Sequence, residues 1–184
     1  MNSINLMIEE HEVISRMLKV MRKACLKILQ EGQICYEDFE QMIDFVKNYA
    51  DAHHHGKEEQ FLFKTMEEHL GALGQKLIRS GMLVEHDLGR LYMSELKAAL
   101  IQAKEGNEEA RLDVIANAVS YTHLLERHIA KENEVVYTFG AKQLSPELLE
   151  QVNQQSAAFE TEASRLGIQD KYLQLLKGLE EKYM

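Results

Sequence analysis

The stretch of sequence that decides the fold is His53-His54-His55-Gly56-Lys57-Glu58-Glu59, which continues into Gln60-Phe61-Leu62-Phe63. The stretch lies within a run of residues that are spaced three or four apart, as on one face of a helix. Outside the stretch's polar part, this face is formed by Phe39, Ile43, Val46, Ala50, Phe61 and Thr65. The same steps reach His54 and Glu58, which lie four residues apart and therefore share one helix face. Because burying an isolated charge is costly, ionisable groups on such a face are usually paired or bound to metal. The stretch therefore predicts partners for His54 and Glu58 on other helices.

The composition favours an all-α protein and limits the kinds of partner. The 184 residues include one proline and no tryptophan, and helix-forming residues dominate. The formal net charge of −9 argues against nucleic acids and anionic membranes as partners. Cys25 and Cys35 form neither a CxxC motif nor a zinc-finger spacing. The sequence shows no signal peptide and no apolar run near ~20 residues, so we expect a cytoplasmic protein.

Four long helices are predicted by the apolar periodicity and by the turn residues between them. They cover residues 3–30, 37–69, 82–104 and 108–139, with turns at 32–36, 70–74 and 106–107 and with Gly140 as the last cap. Ser145-Pro146-Glu147 predicts a further helix over 147–166, and a last one follows over 170–183. The predicted fold is an up-down four-helix bundle over residues 1–140. Residues 141–184 form a C-terminal helical extension that packs on the bundle or forms an oligomer interface.

Each predicted long helix carries one histidine on its apolar face, and two helices add a glutamate four residues later. The histidines are His11, His54, His86 and His128, and the glutamates are Glu58 and Glu132. Taken singly, a histidine on an apolar face is more often a core residue bonded to a carbonyl or carboxylate. The triple histidine could also be a solvated polar run, with His53 and His55 on flanking faces. Unrelated structural histidines would not be expected on the same face of all four helices, so the set indicates one shared site.

Three further residues have open interpretations. His123 lies five residues before His128, roughly 140° away from the apolar face of an ideal helix. It reaches the centre only where the helix is distorted, or it serves as an outer ligand; otherwise it is a solvent or interhelix histidine. Arg90, four residues after His86, is either a surface guanidinium or a charge near bound anions. Tyr121 is either a core tyrosine or a donor of a hydrogen bond or an electron.

The combination of imidazole and carboxylate suits iron or another first-row metal, whereas calcium and magnesium prefer oxygen ligands. The candidate ligands are too many for one tetrahedral zinc, and they suit two metals with an open position. A bundle without metal would leave six polar side chains on the apolar faces without an explanation.

Residues 1–140 resemble the hemerythrin-like, or HHE cation-binding, family. The resemblance rests on Glu10-His11, on His54-His55-Gly56-Lys57-Glu58-Glu59 followed by Leu62-Phe63, on Glu85-His86-Asp87 with Arg90, and on His128-Ile129-Ala130-Lys131-Glu132. It implies a four-helix bundle that holds two Fe ions in a non-haem di-iron centre, bridged by carboxylates and by an oxo group. It implies His11, His54, His86 and His128 as terminal ligands and Glu58 and Glu132 as bridges. The family motif also favours His54 with Glu58 over His55 with Glu59.

Two departures from oxygen-carrying hemerythrins bear on function. Those proteins have a second histidine four residues after the ligand in the third helix, where this chain has Arg90. They also end the fourth helix with His-x-x-x-x-Asp, whereas this chain has His128-x-x-x-Glu132. One iron would then lack a histidine and be more open, or His123 would supply the missing imidazole. The departures argue against a simple reversible oxygen carrier.

The first functional hypothesis is a cytoplasmic di-iron protein that binds or reduces dioxygen, hydrogen peroxide or nitric oxide. An electron-donor protein and a second copy of the chain are its candidate partners. The alternative is a sensor, an iron store or an iron–sulfur repair protein that signals through its C-terminal helices. A ferritin-like or rubrerythrin-like protein ranks below both, because no histidine here has a glutamate three residues before it.

Overall fold

The computed structural model describes residues 2–184, and all regular structure in this range is helical. The first long helix is α1 (Ser3–Glu31). The second, residues 36–69, joins α2 (Tyr36–Phe45), π-helical turns at Val46–His55 and Glu58–Leu62, and α3 (Phe63–His69). The third, residues 71–104, joins α4 (Gly71–Leu77), a π-helical turn at Ile78–Met82, and α5 (Leu83–Lys104). The fourth, residues 110–143, joins α6 (Ala110–Lys131), a π-helical turn at Glu132–Val136, and α7 (Tyr137–Gln143); α8 (Pro146–Arg165) and α9 (Ile168–Tyr183) complete the chain. The predicted all-α bundle with extra C-terminal helices is confirmed.

The ends of several helices follow from capping residues in the sequence. The Asn2 side chain accepts a hydrogen bond from the Asn5 backbone N–H at 3.0 Å at the start of α1. Gly32 ends α1 with a φ of 72°, a left-handed conformation that glycine adopts without steric cost. Ser145 caps α8 by accepting from the Leu148 N–H at 3.3 Å, and Pro146 takes the first helical position.

Two predicted helix boundaries are wrong, and close packing of glycine explains both. The third long helix begins at Gly71, not at Met82, and the predicted turn at 70–74 shrinks to a break at Leu70. Inside that helix, a Cβ on Gly74 would lie 2.6 Å from the Met66 carbonyl oxygen. The fourth helix passes through Gly140, where a Cβ would lie 3.1 Å from Met66 Sδ. These glycines allow two helices to approach each other and do not end them, a distinction that residue type alone does not make.

The interior contains two apolar clusters, and the predicted polar residues lie between them. The larger cluster includes Ile14, Ala50, Met93 and Leu125. The smaller cluster includes Met7, Leu62, Met82 and Val136. Along the long helices, His11, His54, His86 and His128 each fall between a residue of one cluster and a residue of the other. Hydrophobic packing on both sides therefore fixes the position of these polar side chains along the length of the bundle.

The helices α8 and α9 pack against α1 and the second long helix. The Ser3 hydroxyl donates to Asn153 Oδ1 at 2.9 Å, and Arg16 forms two hydrogen bonds with Glu180 at 2.8 and 2.6 Å. The Tyr172 side chain is buried, and its hydroxyl donates to Asp44 Oδ2 at 3.0 Å. None of the helices within residues 2–184 combines the length and the apolar character that crossing a bilayer requires.

Candidate metal centre

Five histidines and two glutamates converge in the layer between the apolar clusters. The first metal-binding cluster contains His11, His54, Glu58 and Glu132, and the second contains His55, His86 and His128. Within each cluster the possible ligand atoms lie within 4.8 Å of one another, and all seven residues are buried. Glu132 faces both clusters, since its Oε2 lies 3.2 Å from His11 Nε2 and its Oε1 lies 3.0 Å from His128 Nε2. Glu58 Oε2 likewise lies 3.7 Å from His54 Nε2 and 3.6 Å from His86 Nε2.

The π-helical turn at Val46–His55 brings two adjacent histidines into the centre. A π-helix bonds each N–H to the carbonyl five residues back, so its turn is wider than that of an α-helix. His54 and His55 are both buried, and they enter different clusters. The His55 ring stacks on His86 with 3.7 Å between ring centroids. The prediction that His55 lies on a flanking face is therefore wrong, because it assumed an α-helical period through this turn.

The π-helical turn at Glu132–Val136 shifts the buried face of the fourth helix by one residue. The sequence pattern places Val135 on the inner face, but Val135 is 52% exposed and Val136 is buried. The shift also brings Tyr137 into the site. The Tyr137 hydroxyl donates to Glu58 Oε1 at 2.5 Å, and its ring stacks on His11 with 5.6 Å between centroids. The sequence pattern does not single out Tyr137, because a regular α-helical period does not place it on the inner face.

All five imidazoles have an oxygen acceptor at Nδ1. The pairs are His11 with Asn133 Oδ1 (2.8 Å), His54 with Glu10 Oε2 (2.8 Å), His55 with Asp51 Oδ1 (3.3 Å), His86 with Glu59 Oε1 (2.7 Å) and His128 with Glu85 Oε2 (3.0 Å). A carboxylate or amide oxygen at Nδ1 favours the tautomer that carries its proton there. The Nε2 atoms then present lone pairs to the interior, as metal-binding histidines do.

The facing Nε2 atoms and the buried carboxylate oxygens fit metal cations. His11 Nε2 lies 2.8 Å from His54 Nε2, and His86 Nε2 lies 3.1 Å from His128 Nε2. Lone pairs at these distances repel unless a proton or a cation lies with them. Glu58 Oε2 and both oxygens of Glu132 accept no hydrogen bond from any residue in the 2–184 range. Because unpartnered buried carboxylate oxygens are costly, the donor set as a whole is suited to bind cations.

The electrostatics of the site also favour bound positive charge. Burial and the neighbouring Glu132 carboxylate raise the pKa of Glu58 well above its usual value. Burial alone would lower the pKa of His128, but the charge of the adjacent Glu132 carboxylate and the hydrogen bond to Glu85 outweigh burial and raise it to about 10. Burial and the charge of His11 lower the pKa of His54 to about 4. A proton on His128 offsets the charge of Glu132, and a metal cation would meet the same electrostatic demand.

The remaining candidates from the sequence lie outside the two clusters. His123 is exposed, and its Nε2 lies 2.8 Å from Arg22 Nη1. The second cluster reaches three imidazoles through His55 instead, so the structure gives His123 no part in either cluster. Tyr121 is 2% exposed, and its hydroxyl has no hydrogen-bond partner in the described part of the chain. Arg90 binds Asp51 and Glu59, the acceptors of His55 and His86.

A cavity of about 250 Å³ lies beside the second cluster. Its lining includes His55, His86, Gly89, Arg90 and Tyr121. A water molecule occupies roughly 30 Å³ in the liquid, so the cavity has room for a small ligand. It gives such a ligand an approach to the side of the centre that holds three imidazoles.

A family model described as the hemerythrin HHE cation binding domain matches residues 2–139. The chain belongs to the hemerythrin HHE cation-binding family. Relatives of this hemerythrin-family chain include an uncharacterized protein of Mycobacterium tuberculosis and one of Mycobacterium bovis. Each is 24% identical over 131 residues, which are 71% of this chain and 50% of the relative, so the chain spans about half the length of these curated relatives. Comparison with solved structures gives no significant match.

Membership of the hemerythrin HHE family makes this a cation-binding protein, in agreement with the resemblance read from its motifs. The matched residues contain both metal-binding clusters. They end before α8 and α9, which therefore lie outside the family domain.

Proposed function

We propose that this chain is a non-haem di-iron protein that binds or reduces a small oxidant, with dioxygen, hydrogen peroxide and nitric oxide as the candidates. The proposal rests on one observation above all: five buried imidazoles have an oxygen acceptor at Nδ1 and direct Nε2 toward two adjoining clusters. Mixed imidazole and carboxylate ligands suit first-row metals, and the family is cation-binding.

In this proposal the first cluster holds one iron and the second cluster holds the other. His11 and His54 would hold the first iron, His55, His86 and His128 would hold the second, and the carboxylates of Glu58 and Glu132 face ligands of both clusters. A bound pair of irons would supply an open coordination position and electrons for the oxidant.

The chain itself controls the surroundings of the reaction. The apolar clusters above and below the polar layer exclude water from it. Tyr137 holds Glu58 Oε1 through its hydroxyl, at 2.5 Å, and fixes the orientation of that carboxylate. The cavity beside His55 and His86 would give the oxidant an approach to the second cluster, and Arg90 at its lining adds a positive charge.

A second candidate is a metal-dependent sensor, an iron store or an iron–sulfur repair protein. The observation that favours a sensor is the contact between α8 and the second long helix, where Glu160 lies 3.3 Å from His53, next to His54 in the chain. A change of oligomeric state on oxidation would support this candidate. Steady turnover of peroxide would support the oxidant-reducing function.

The test is metal analysis of the purified chain, with absorption spectra before and after oxygen or peroxide is added. We expect two iron ions per chain and near-ultraviolet bands that change with the oxidant. Glu132→Ala should lower the metal content sharply. The matched control is His69→Ala, since His69 is exposed and belongs to neither cluster. One zinc ion or no metal, with a featureless spectrum, would overturn the proposal.

A further inference from the structure

Lys57 is a fully buried lysine beside the first metal-binding cluster. Its side chain is 0% exposed, its Nζ donates to Glu10 Oε1 and to Glu160 Oε1, and the same Nζ lies 3.1 Å from His53 Nε2. Glu10, His53 and Glu160 have the close spacing of a third metal-binding group. The Lys57 ammonium lies within hydrogen-bonding distance of all three, so the chain places its own cation there.

Glu10 connects this lysine to a proposed metal ligand. Glu10 Oε2 accepts the hydrogen bond from His54 Nδ1 at 2.8 Å, while Oε1 accepts from Lys57 and from His53, the latter at 3.1 Å. Glu10 is 5% exposed, so water does not replace these partners readily. A change in the bonds at one carboxylate oxygen therefore alters how the other holds His54.

Glu160 connects the same lysine to the C-terminal helices. It lies on α8, beyond the family domain at residues 2–139. Its Oε2 accepts from Gln169 Nε2 on α9 at 2.8 Å. The neighbouring Phe159 ring packs 5.7 Å from the His53 ring, and a Cβ on Gly56 would lie 3.9 Å from Phe159 Cζ. The helix α8 thus meets the second long helix at His53 and Gly56, on either side of His54, and Gln169 connects α9 to this contact through Glu160.

We propose that Glu160 is a positioning residue for His54, acting through Lys57 and Glu10, so that the C-terminal extension completes the metal centre. The inference rests on the proposed function, because it requires His54 to bind metal. Without the Glu160 charge, Glu10 is the only carboxylate partner left to the Lys57 ammonium among residues 2–184, and the ammonium moves toward it. Glu10 then turns from His54 and leaves that imidazole without its fixed tautomer and orientation.

The effect of removing the Glu160 charge is confined to the first cluster. His55, His86 and His128 of the second cluster are held by Asp51, Glu59 and Glu85, and none of these acceptors contacts Lys57 within residues 2–184. Loss of a partner that holds a metal ligand typically costs 10–100-fold in metal affinity. Glu160 acts two contacts away, and we expect release from the first cluster to become roughly tenfold faster.

The experiment compares the full-length wild type, Glu160→Gln and Glu162→Gln after loading with ferrous iron under anaerobic conditions. Transfer of iron to a colorimetric chelator is followed in time, together with bound iron per chain and the thermal unfolding temperature. Glu162 is the matched control, since it lies on the same helix and pairs only with Arg165 among the described residues. For Glu160→Gln we expect two bound irons and two release phases, one roughly tenfold faster and one unchanged. Glu162→Gln should match the wild type in both phases.

Three outcomes would overturn the inference, and they are distinguishable. Failure of the wild type to bind iron would overturn the proposed function and the inference with it. Normal binding with unchanged release from Glu160→Gln would overturn the inference alone. Equal acceleration of both phases with a lower unfolding temperature would show that Glu160 stabilises the packing of α8 on the bundle and does not position His54. If Glu160→Gln does not fold, Lys57→Met with Glu160→Leu removes both charges together; Glu10 Oε1 then loses its hydrogen bond from Lys57, and this loss must also accelerate one phase selectively.

Discussion

The Arg90 guanidinium holds Asp51 through two nitrogen atoms, with Nε at 3.0 Å and Nη2 at 2.7 Å from Asp51 Oδ1. The same Nη2 donates to Glu59 Oε1 at 2.7 Å. Asp51 accepts from His55, and Glu59 accepts from His86. Burial alone would raise the pKa of both carboxyls, but the hydrogen bonds from the histidines and from Arg90 outweigh burial and lower it. One exposed arginine therefore orders two imidazoles of the second cluster.

Replacing Arg90 should weaken the second cluster while the chain stays folded. We expect Arg90→Met to lower the affinity for one of two metal ions by about tenfold, because Asp51 and Glu59 lose the group that fixes them. Competition with a chelator of known affinity measures the effect. Arg79→Met is the control, since Arg79 pairs with Glu67 outside both clusters. Equal metal affinity in the Arg90 and Arg79 variants would contradict this role.

His55→Ala should remove metal from the second cluster and leave the first. The variant retains four imidazoles, two in each cluster, and we expect the metal content to fall by about half. Metal analysis after dialysis gives the result. His123→Ala should keep the full metal content, because His123 is exposed and contacts Arg22. The reverse result, with loss in the His123 variant alone, would restore His123 as a ligand and exclude His55.

Tyr137→Phe should destabilise the metal-free chain. The phenylalanine ring can keep the stacking on His11, but Glu58 Oε1 loses the donor that lies at 2.5 Å. An unpartnered buried acceptor costs about 1–3 kcal/mol in the free energy of unfolding, which urea denaturation measures. Tyr36→Phe should change that free energy by less than about 0.5 kcal/mol, because Lys104 contacts Tyr36 over its ring, which phenylalanine keeps. Similar values for the two variants would exclude a structural role for the Tyr137 hydroxyl.

A larger side chain at position 89 should hinder ligand entry. Gly89 lines the cavity beside His86, and a Cβ there would meet Tyr121 and Leu125 at 3.5 and 3.6 Å, which are ordinary contacts. Gly89→Leu should therefore fold and slow the association of azide with the oxidised, metal-loaded chain by about tenfold. Stopped-flow absorbance provides the rate. Gly178→Leu, at a position open to solvent on α9, should leave the rate unchanged, and an unchanged rate in Gly89→Leu would show that azide enters elsewhere.

The attachment of α9 should depend on acid pH through Asp38. Burial alone would raise the pKa of Asp38, but hydrogen bonds from Lys182 and Tyr183 outweigh burial and hold it below its usual value. Since the folded-state pKa is the lower one, this stabilisation is present above the unfolded-state pKa of about 3.9 and is lost as pH falls through the folded-state value. We expect Asp38→Asn to be less stable by about 1 kcal/mol at neutral pH.

Urea denaturation of the wild type and Asp38→Asn across the acid range tests this dependence, and the comparison removes the effects of groups that both chains share. The two free energies of unfolding should converge as pH falls through the folded-state pKa of Asp38. Glu37→Gln, at an exposed neighbouring residue, should follow the wild type throughout. A constant difference between wild type and Asp38→Asn would contradict the assigned titration.

His11, His86 and His128 meet in the structure because an α-helical period holds through α1, α5 and α6. Such a period predicts which residues face inward, and four helices that bury their inner faces must bring those residues together. The same period does not predict His55 or Tyr137, because His55 ends one π-helical turn and Tyr137 follows another. A pattern of apolar residues does not show whether the backbone N–H bonds to the carbonyl four or five residues back.

Contacts between segments that are distant in the chain could not be predicted from the sequence either. Lys57 reads as an ordinary surface lysine in a polar run, and Glu160 reads as one of several acids on an amphipathic helix. Their pairing depends on how α8 crosses the second long helix, which side-chain packing determines and local sequence does not.

His54 and His55 are consecutive residues that serve different clusters. Their Cα atoms are separated by one trans peptide unit, about 3.8 Å, a length that does not vary with temperature or packing. A covalent link therefore spans the gap between the two halves of the centre. A displacement of the main chain at either residue therefore moves both imidazoles, one in each cluster.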